Sequence, residues 1–151
     1  MKKLLTIDVL ENGKEYHEDL VFEIPGLLSQ QQFDTYYFAL AIEPKSGISE
    51  IKNAIAALIT SWKQELTKLK NGDVIYLPID FADQGTSSIK VSKNKHLTLT
   101  FGTSSREGWS INPLHPVDYY KSITDFRNLN ENSLEVRQVD FEKCLTYNIE
   151  N

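Results

Sequence analysis

Cysteine, long apolar runs and positive charge are what this chain has least of. One cysteine, Cys144, stands among 151 residues. No disulfide framework can form within the chain, so the sequence reads as one suited to a reducing compartment. No stretch approaches the ~18 consecutive apolar residues that mark a membrane span. The opening segment, MKKLLTIDVL, has two lysines, but Thr6 and Asp8 interrupt its apolar run, leaving it too short and too polar for a signal-peptide core. The expectation is a cytoplasmic protein without a membrane partner. Phosphate-binding and dinucleotide-binding glycine patterns are missing, and so is the G-x-S-x-G elbow of serine hydrolases. The three histidines, His17, His96 and His115, share no ligand spacing, and turn or surface roles suit them better than metal binding. These absences point away from an enzyme and from any cofactor or metal.

The formal net charge is −5. Residues 1–50 carry 4 bases and 9 acids, residues 51–100 carry 7 and 4, and residues 101–151 carry 5 and 8. A nucleic-acid binder needs a basic face to neutralise phosphates, so nucleic acid is not an expected partner. An acidic surface is compatible with a basic protein partner, whose approach it would speed, and equally with ordinary solubility charge.

The material for a folded core is present: 40% of residues are hydrophobic, 25% are charged and 11% are aromatic. That composition and length suit one globular domain spanning residues 1–151. Two apolar runs, residues 3–10 and Leu20 to Ile24, predict a pair of strands, with Asn12-Gly13 as a hairpin turn between them. Ser29 and Gln32 have capping-box spacing, and Phe33, Tyr36, Tyr37 and Leu40 fall on one helical face, so SQQQFDTYYFAL predicts a helix. A strand reading of TYYFALAI remains open because aromatic residues also favour sheets.

Ile48, Ile51, Ile55, Leu58, Ile59, Trp62, Leu66 and Leu69 recur at steps of three and four. They predict a long amphipathic helix over about residues 48–70, capped by Asn71-Gly72. The period then changes to two. Val74 to Leu77 predicts a strand ended by Pro78 and a loop. Ile89 and Val91, then Leu97, Leu99 and Phe101, predict a hairpin that Gly102 closes. One more short strand is expected around Trp109 and Ile111, a helical turn near Val117, Tyr120 and Ile123, and a strand at Leu134 to Val136. Asp140 is expected to cap a final helix carrying Phe141, Cys144, Leu145 and Ile149 on its apolar face, which would make Cys144 a buried, inert thiol. Strands and helices do not alternate, so the expected class is α+β: a mainly antiparallel sheet packed against the long helix, with shorter helices.

Two polar stretches stand out. In YLPIDFADQGTSS, residues 76–88, Asp80 and Asp83 lie three apart and are followed by Gln84 and Gly85. The two acids can bond backbone amides in a tight loop, contact a partner, or serve as paired carboxylates in acid–base or cation chemistry. The EF-hand reading fails for want of a third acid and a later glutamate. In FGTSSREGWSINP, residues 101–113, Gly102 and Gly108 flank small polar residues and the Arg106–Glu107 pair, and Trp109 follows. There Trp109 either closes the core or forms a surface anchor.

Taken together, GDVIYLPIDFADQGTSSIKV, LTLTFGTSSREGWSINP and DYYKSITDF resemble small immunity proteins of bacterial contact-dependent growth inhibition systems. The likeness covers about residues 48–126 and contains no catalytic signature. It implies a non-enzymatic, cytoplasmic protein that binds the toxic C-terminal domain of a cognate effector, often a basic nuclease, and occludes its active site. The partner-binding candidates are then Asp80, Asp83, Gln84, Glu107 and Trp109. The reading from another class is a small-molecule or carbohydrate-binding, or hydrolytic, domain that uses Asp80 and Asp83.

Overall fold

A computed structural model describes residues 4–42 and 47–145. The class is α+β, but the strands form two antiparallel sheets where one was expected. The first is a meander of β1 (Thr6–Val9), β2 (Leu20–Ile24) and β3 (Leu28–Phe33). Two helices follow, α1 (Tyr36–Ala41) and α2 (Ile48–Leu66). The second sheet holds β4 (Val74–Ala82), β5 (Gly85–Asn94) and β6 (His96–Ser104). The short strands β7 (Arg127–Asn128) and β8 (Leu134–Val136) both pair with the outer edge of β6. Helix α3 (Gln138–Cys144) follows them.

The paired first strands form as expected, but the turn between them does not. Val9 lies opposite Leu20, so Asn12-Gly13 sits inside a long connection and not in a two-residue hairpin. Asp19 is buried at the end of that connection and accepts from both the amide and the hydroxyl of Thr35, at 3.1 and 2.7 Å. The predicted helix over SQQQFDTYYFAL is half strand: Leu28–Phe33 pairs with β2, and only Tyr36–Ala41 is helical. Local capping pattern lost here to the free energy of completing a ladder beside an already buried strand.

Helix α2 buries Ile51, Ile55, Leu58, Ile59, Trp62 and Leu66, the stripe read from the sequence. It ends at Leu66, earlier than expected, with Thr67 as C-cap. Leu69 is buried in the turns beyond, and Gly72 adopts a left-handed φ of 95° on the way into β4. Trp62 meets Phe22 of the first sheet edge-on at 6.3 Å, and Phe33 of the first sheet stacks on Phe101 of the second at 6.2 Å. One hydrophobic cluster therefore includes both sheets and α2. Fully burying a side chain such as Leu58 or Ile55 is worth roughly 1.5–3 kcal/mol.

The largest departure from expectation is at Pro78. It does not end the strand: β4 runs on through Asp80 to Ala82, with a register irregularity between Pro78 and Asp80. Proline is tolerated in a sheet on an edge strand or beside a bulge, and both conditions hold here. Likewise Gly102 does not close the hairpin, because β6 continues to Ser104. The residues around Trp109 form a 3₁₀ turn, Gly108–Ser110, where a strand was expected. Residues 117–122 form turns that bury Tyr119 and Tyr120 and leave Val117 exposed. Asp140 lies in the first turn of α3 and pairs with Arg137, which takes the capping position predicted for Asp140. Ile149 lies outside the described residues.

Candidate functional site

The free edge of β4 organises the candidate site. At its start, the Tyr76 amide donates to the Tyr120 carbonyl at 3.0 Å. At its end, Gly108 lies directly on the backbone of Phe81 and Ala82. A Cβ at position 108 would fall 2.6 Å from the Ala82 nitrogen and 2.7 Å from its oxygen. Only glycine permits that approach, so the 3₁₀ turn is seated against the tip of the β4–β5 hairpin. This brings Glu107 and Trp109 beside the stretch that carries Asp80, Asp83 and Gln84.

Trp109 is 63% exposed, so it does not close the core. Its indole nitrogen donates to the Glu107 carboxylate at 2.9 Å. The base of the loop is held by Arg106, which donates to the Ser110 hydroxyl at 2.8 Å, and by Thr86, which donates to the Arg106 carbonyl at 2.7 Å. An indole whose polar edge is occupied within its own loop presents mainly its apolar face outward.

Asp80, expected on a loop, lies on a strand. Its carboxyl is half-buried and makes no side-chain hydrogen bond or ion pair among the described residues. Burial pushes its pKa up to about 6, and the nearby Asp34 carboxylate adds to the shift. Asp83 and Gln84 form the two-residue turn between Ala82 and Gly85, and both are exposed. Asp83 accepts a hydrogen bond from the phenol of Tyr37. Neither acid bonds the amides of its own loop, so capping does not explain their presence.

Sequence reasoning missed the other half of this surface. Helix α1 supplies Tyr36 and Tyr37, the link from β3 to α1 supplies Asp34, and the connection before β2 supplies His17. The Asp34 carboxylate accepts from the Glu18 amide at 2.8 Å and lies 3.2 Å from the His17 ring nitrogen. His17 stacks on Tyr36 at 5.6 Å, and Tyr36 meets Tyr37 edge-on at 5.3 Å. Phe38, on the same helix, packs on Phe81 at 5.5 Å and anchors α1 against β4. Adjacent tyrosines in a segment read as a longer helix gave no sign of a contact with residue 83, because that contact joins α1 to the β4–β5 turn, 46 residues away in the chain.

A second polar cluster is buried beneath the segment that covers β4. The Tyr119 hydroxyl lies 2.8 Å from that of Ser104 and 3.2 Å from that of Ser88, and it donates to the Thr86 carbonyl at 3.3 Å. Ser61 of α2 lies 2.7 Å from the Tyr120 hydroxyl and 3.1 Å from the His115 ring. Burial raises the pKa values of both tyrosines above the ordinary phenol range, so they remain neutral hydroxyls. This cluster fastens residues 113–126 to α2 and to the second sheet. Cys144 donates to the Phe141 carbonyl at 3.0 Å, and burial pushes its thiol up to about 11, which leaves it a poor nucleophile at neutral pH.

Among the described residues, no three of His, Cys, Asp and Glu converge as a metal site would need, and no helix is long and apolar enough to cross a membrane. Comparison with protein families, with curated proteins and with solved structures finds no match.

Proposed function

We propose that this protein is a non-enzymatic, cofactor-free inhibitor of the immunity type. It acts in the cytoplasm, binding the toxic C-terminal domain of a cognate bacterial effector, a basic nuclease, and occluding its active site. One observation carries this reading. Asp80 and Asp83 form no ion pair among the described residues, and they lie on the hairpin against which the exposed Trp109 turn is seated. Keeping an unpaired carboxylate half-buried costs stability, and a lysine or arginine from a partner would offset that cost. Trp109 supplies the aromatic anchor typical of binding hot spots, and Glu107 sets the orientation of its ring. Gln84, exposed at the turn, adds an amide able to donate and accept.

The deciding experiment is co-expression with the toxin domain encoded by the neighbouring reading frame. Growth rescue by the wild-type chain is expected, together with a salt-sensitive complex that Asp83→Lys or Trp109→Ala weakens at least ten-fold. Absence of both rescue and complex removes the reading.

The raised Asp80 carboxyl favours a second reading, a small-molecule or carbohydrate-binding or hydrolytic site using Asp80 and Asp83. It requires turnover, or ligand binding, that Asp80→Asn abolishes in the absence of any protein partner.

A further inference from the structure

The outer strand of the first sheet is bare along its middle. Ser29, Gln30, Gln31 and Gln32 are all exposed, although successive side chains of a strand point to opposite faces. Only the ends of β3, Leu28 and Phe33, are buried. The middle of the strand is thus wet on both faces. One of its edges pairs with β2. Along the other, the backbone of residues 29–32 makes no hydrogen bond among the described residues. Every second residue of an edge strand turns its N–H and C=O outward, which makes the edge a template for another strand.

Natural proteins block such edges with lysine, proline or inward charge. Here residues 24–33 carry no charge, and Pro25 precedes the strand. The protective feature is the register irregularity opposite Glu23, which leaves Ser29 and Gln30 without register partners in β2, while Gln31 and Gln32 pair with Phe22 and Val21. The other edge of the sheet, β1, carries Asp8 and is followed by Glu11.

We propose that β3 is a self-association edge: two copies of this chain join antiparallel through Ser29–Phe33, centred on Gln31, merging their three-stranded sheets into one. A second copy fits this edge on charge grounds. The chain is acidic at −5, so most approaches of one copy to another meet repulsion, whereas this edge offers only neutral amides. A two-fold axis near Gln31 sets glutamine opposite glutamine, and each amide can both donate and accept across the axis. Antiparallel pairing about Gln31 sets the Asp34 of each copy opposite Leu28 of the other, so those carboxylates do not meet. A basic partner would gain nothing from these amides, so the edge is separate from the carboxylate surface around Asp83 and does not depend on the function proposed for it. One strand pair buries little area, so the association is weak and appears at high concentration.

Sedimentation velocity over a concentration series, with Gln31→Lys beside the wild type, tests this. The lysine lowers the net negative charge, which by itself would favour self-association, but it sets two like charges together at the axis. A reversible wild-type dimer whose association constant falls at least ten-fold in Gln31→Lys is expected. Hydrogen exchange on the wild type should show the amides of residues 29–32 gaining protection as concentration rises. A chain that stays monomeric up to about 1 mM overturns the proposal. So does a dimer that forms without protecting residues 29–32, or one that Gln31→Lys leaves intact.

Discussion

The two polar clusters of this protein obey opposite rules. Beneath residues 113–126, each hydroxyl of Tyr119, Tyr120, Ser61, Ser88 and Ser104 has a partner within the fold, and none of them is charged. At the hairpin tip, Asp80 has no side-chain partner among the described residues, and Asp83 has only a phenol. Burial without satisfaction is unfavourable, so polar groups that serve the fold are expected to be paired. The tyrosine cluster meets that expectation. Asp80 does not, and a group that costs folding energy without a structural partner is where a role outside the fold is to be sought.

That contrast can be broken by mutation. The largest effect is expected at Tyr119. Replacement by alanine removes a fully buried ring and should cost ~3–5 kcal/mol in denaturant unfolding. Tyr119→Phe isolates the hydroxyl and should cost ~1–3 kcal/mol, because Ser104 and Ser88 lose a partner. If Tyr119→Phe is neutral, the cluster is not structural and the contrast fails.

Asp80→Asn should act in the opposite direction. The folded-state value, about 6, lies above the ordinary 3.8, so ionisation of Asp80 opposes folding. The stabilising contribution of its neutral form is complete below pH 3.8 and is lost as pH rises through about 6. The variant should therefore match the wild type near pH 3.5 and exceed it above pH 6.5. A two-unit shift sets a ceiling of ~3 kcal/mol, and partial solvent access makes ~1–2 kcal/mol the expected gain. Thermal melts of both proteins at the two pH values would check this, and a destabilised variant at neutral pH would mean that Asp80 has a structural partner.

The smallest effect on folding is expected at Trp109. The side chain is mostly exposed, so Trp109→Ala should change stability by less than ~0.5 kcal/mol. A loss of several kcal/mol in urea unfolding would move Trp109 from the surface to the core side of the comparison.

Much of the architecture was legible where a strong period was backed by burial. The Ile, Leu and Trp stripe of α2 and the alternation of Ile89, Val91, Leu97 and Leu99 marked a helix and a hairpin because each has one apolar face and one wet face. Legibility failed where a local rule competed with pairing. Pro78 signals a stop in an isolated strand, yet an edge position lets β4 continue, and that continuation moved Asp80 from a loop to a strand. Ser29 and Gln32 looked like a helix cap because nothing local shows that β2 lies alongside to pair with β3.

Of the candidate site, residues 80–85 and 107–109 were visible as polar, glycine-bearing stretches between apolar runs. Their proximity was not, and it rests on Gly108 lying against the backbone of Phe81 and Ala82. The contributions of His17, Asp34 and Tyr37 were not, because contacts across 46 residues, such as Tyr37 to Asp83, leave no periodic trace.

By itself, the sequence determined which faces are apolar, and with them the class of fold and the segments to be buried, since hydrophobic periodicity is a local property. Only the tertiary structure decided which polar groups would find partners. Hydrogen-bond satisfaction depends on what the rest of the chain sets nearby, and that is what separates Tyr119 from Asp80.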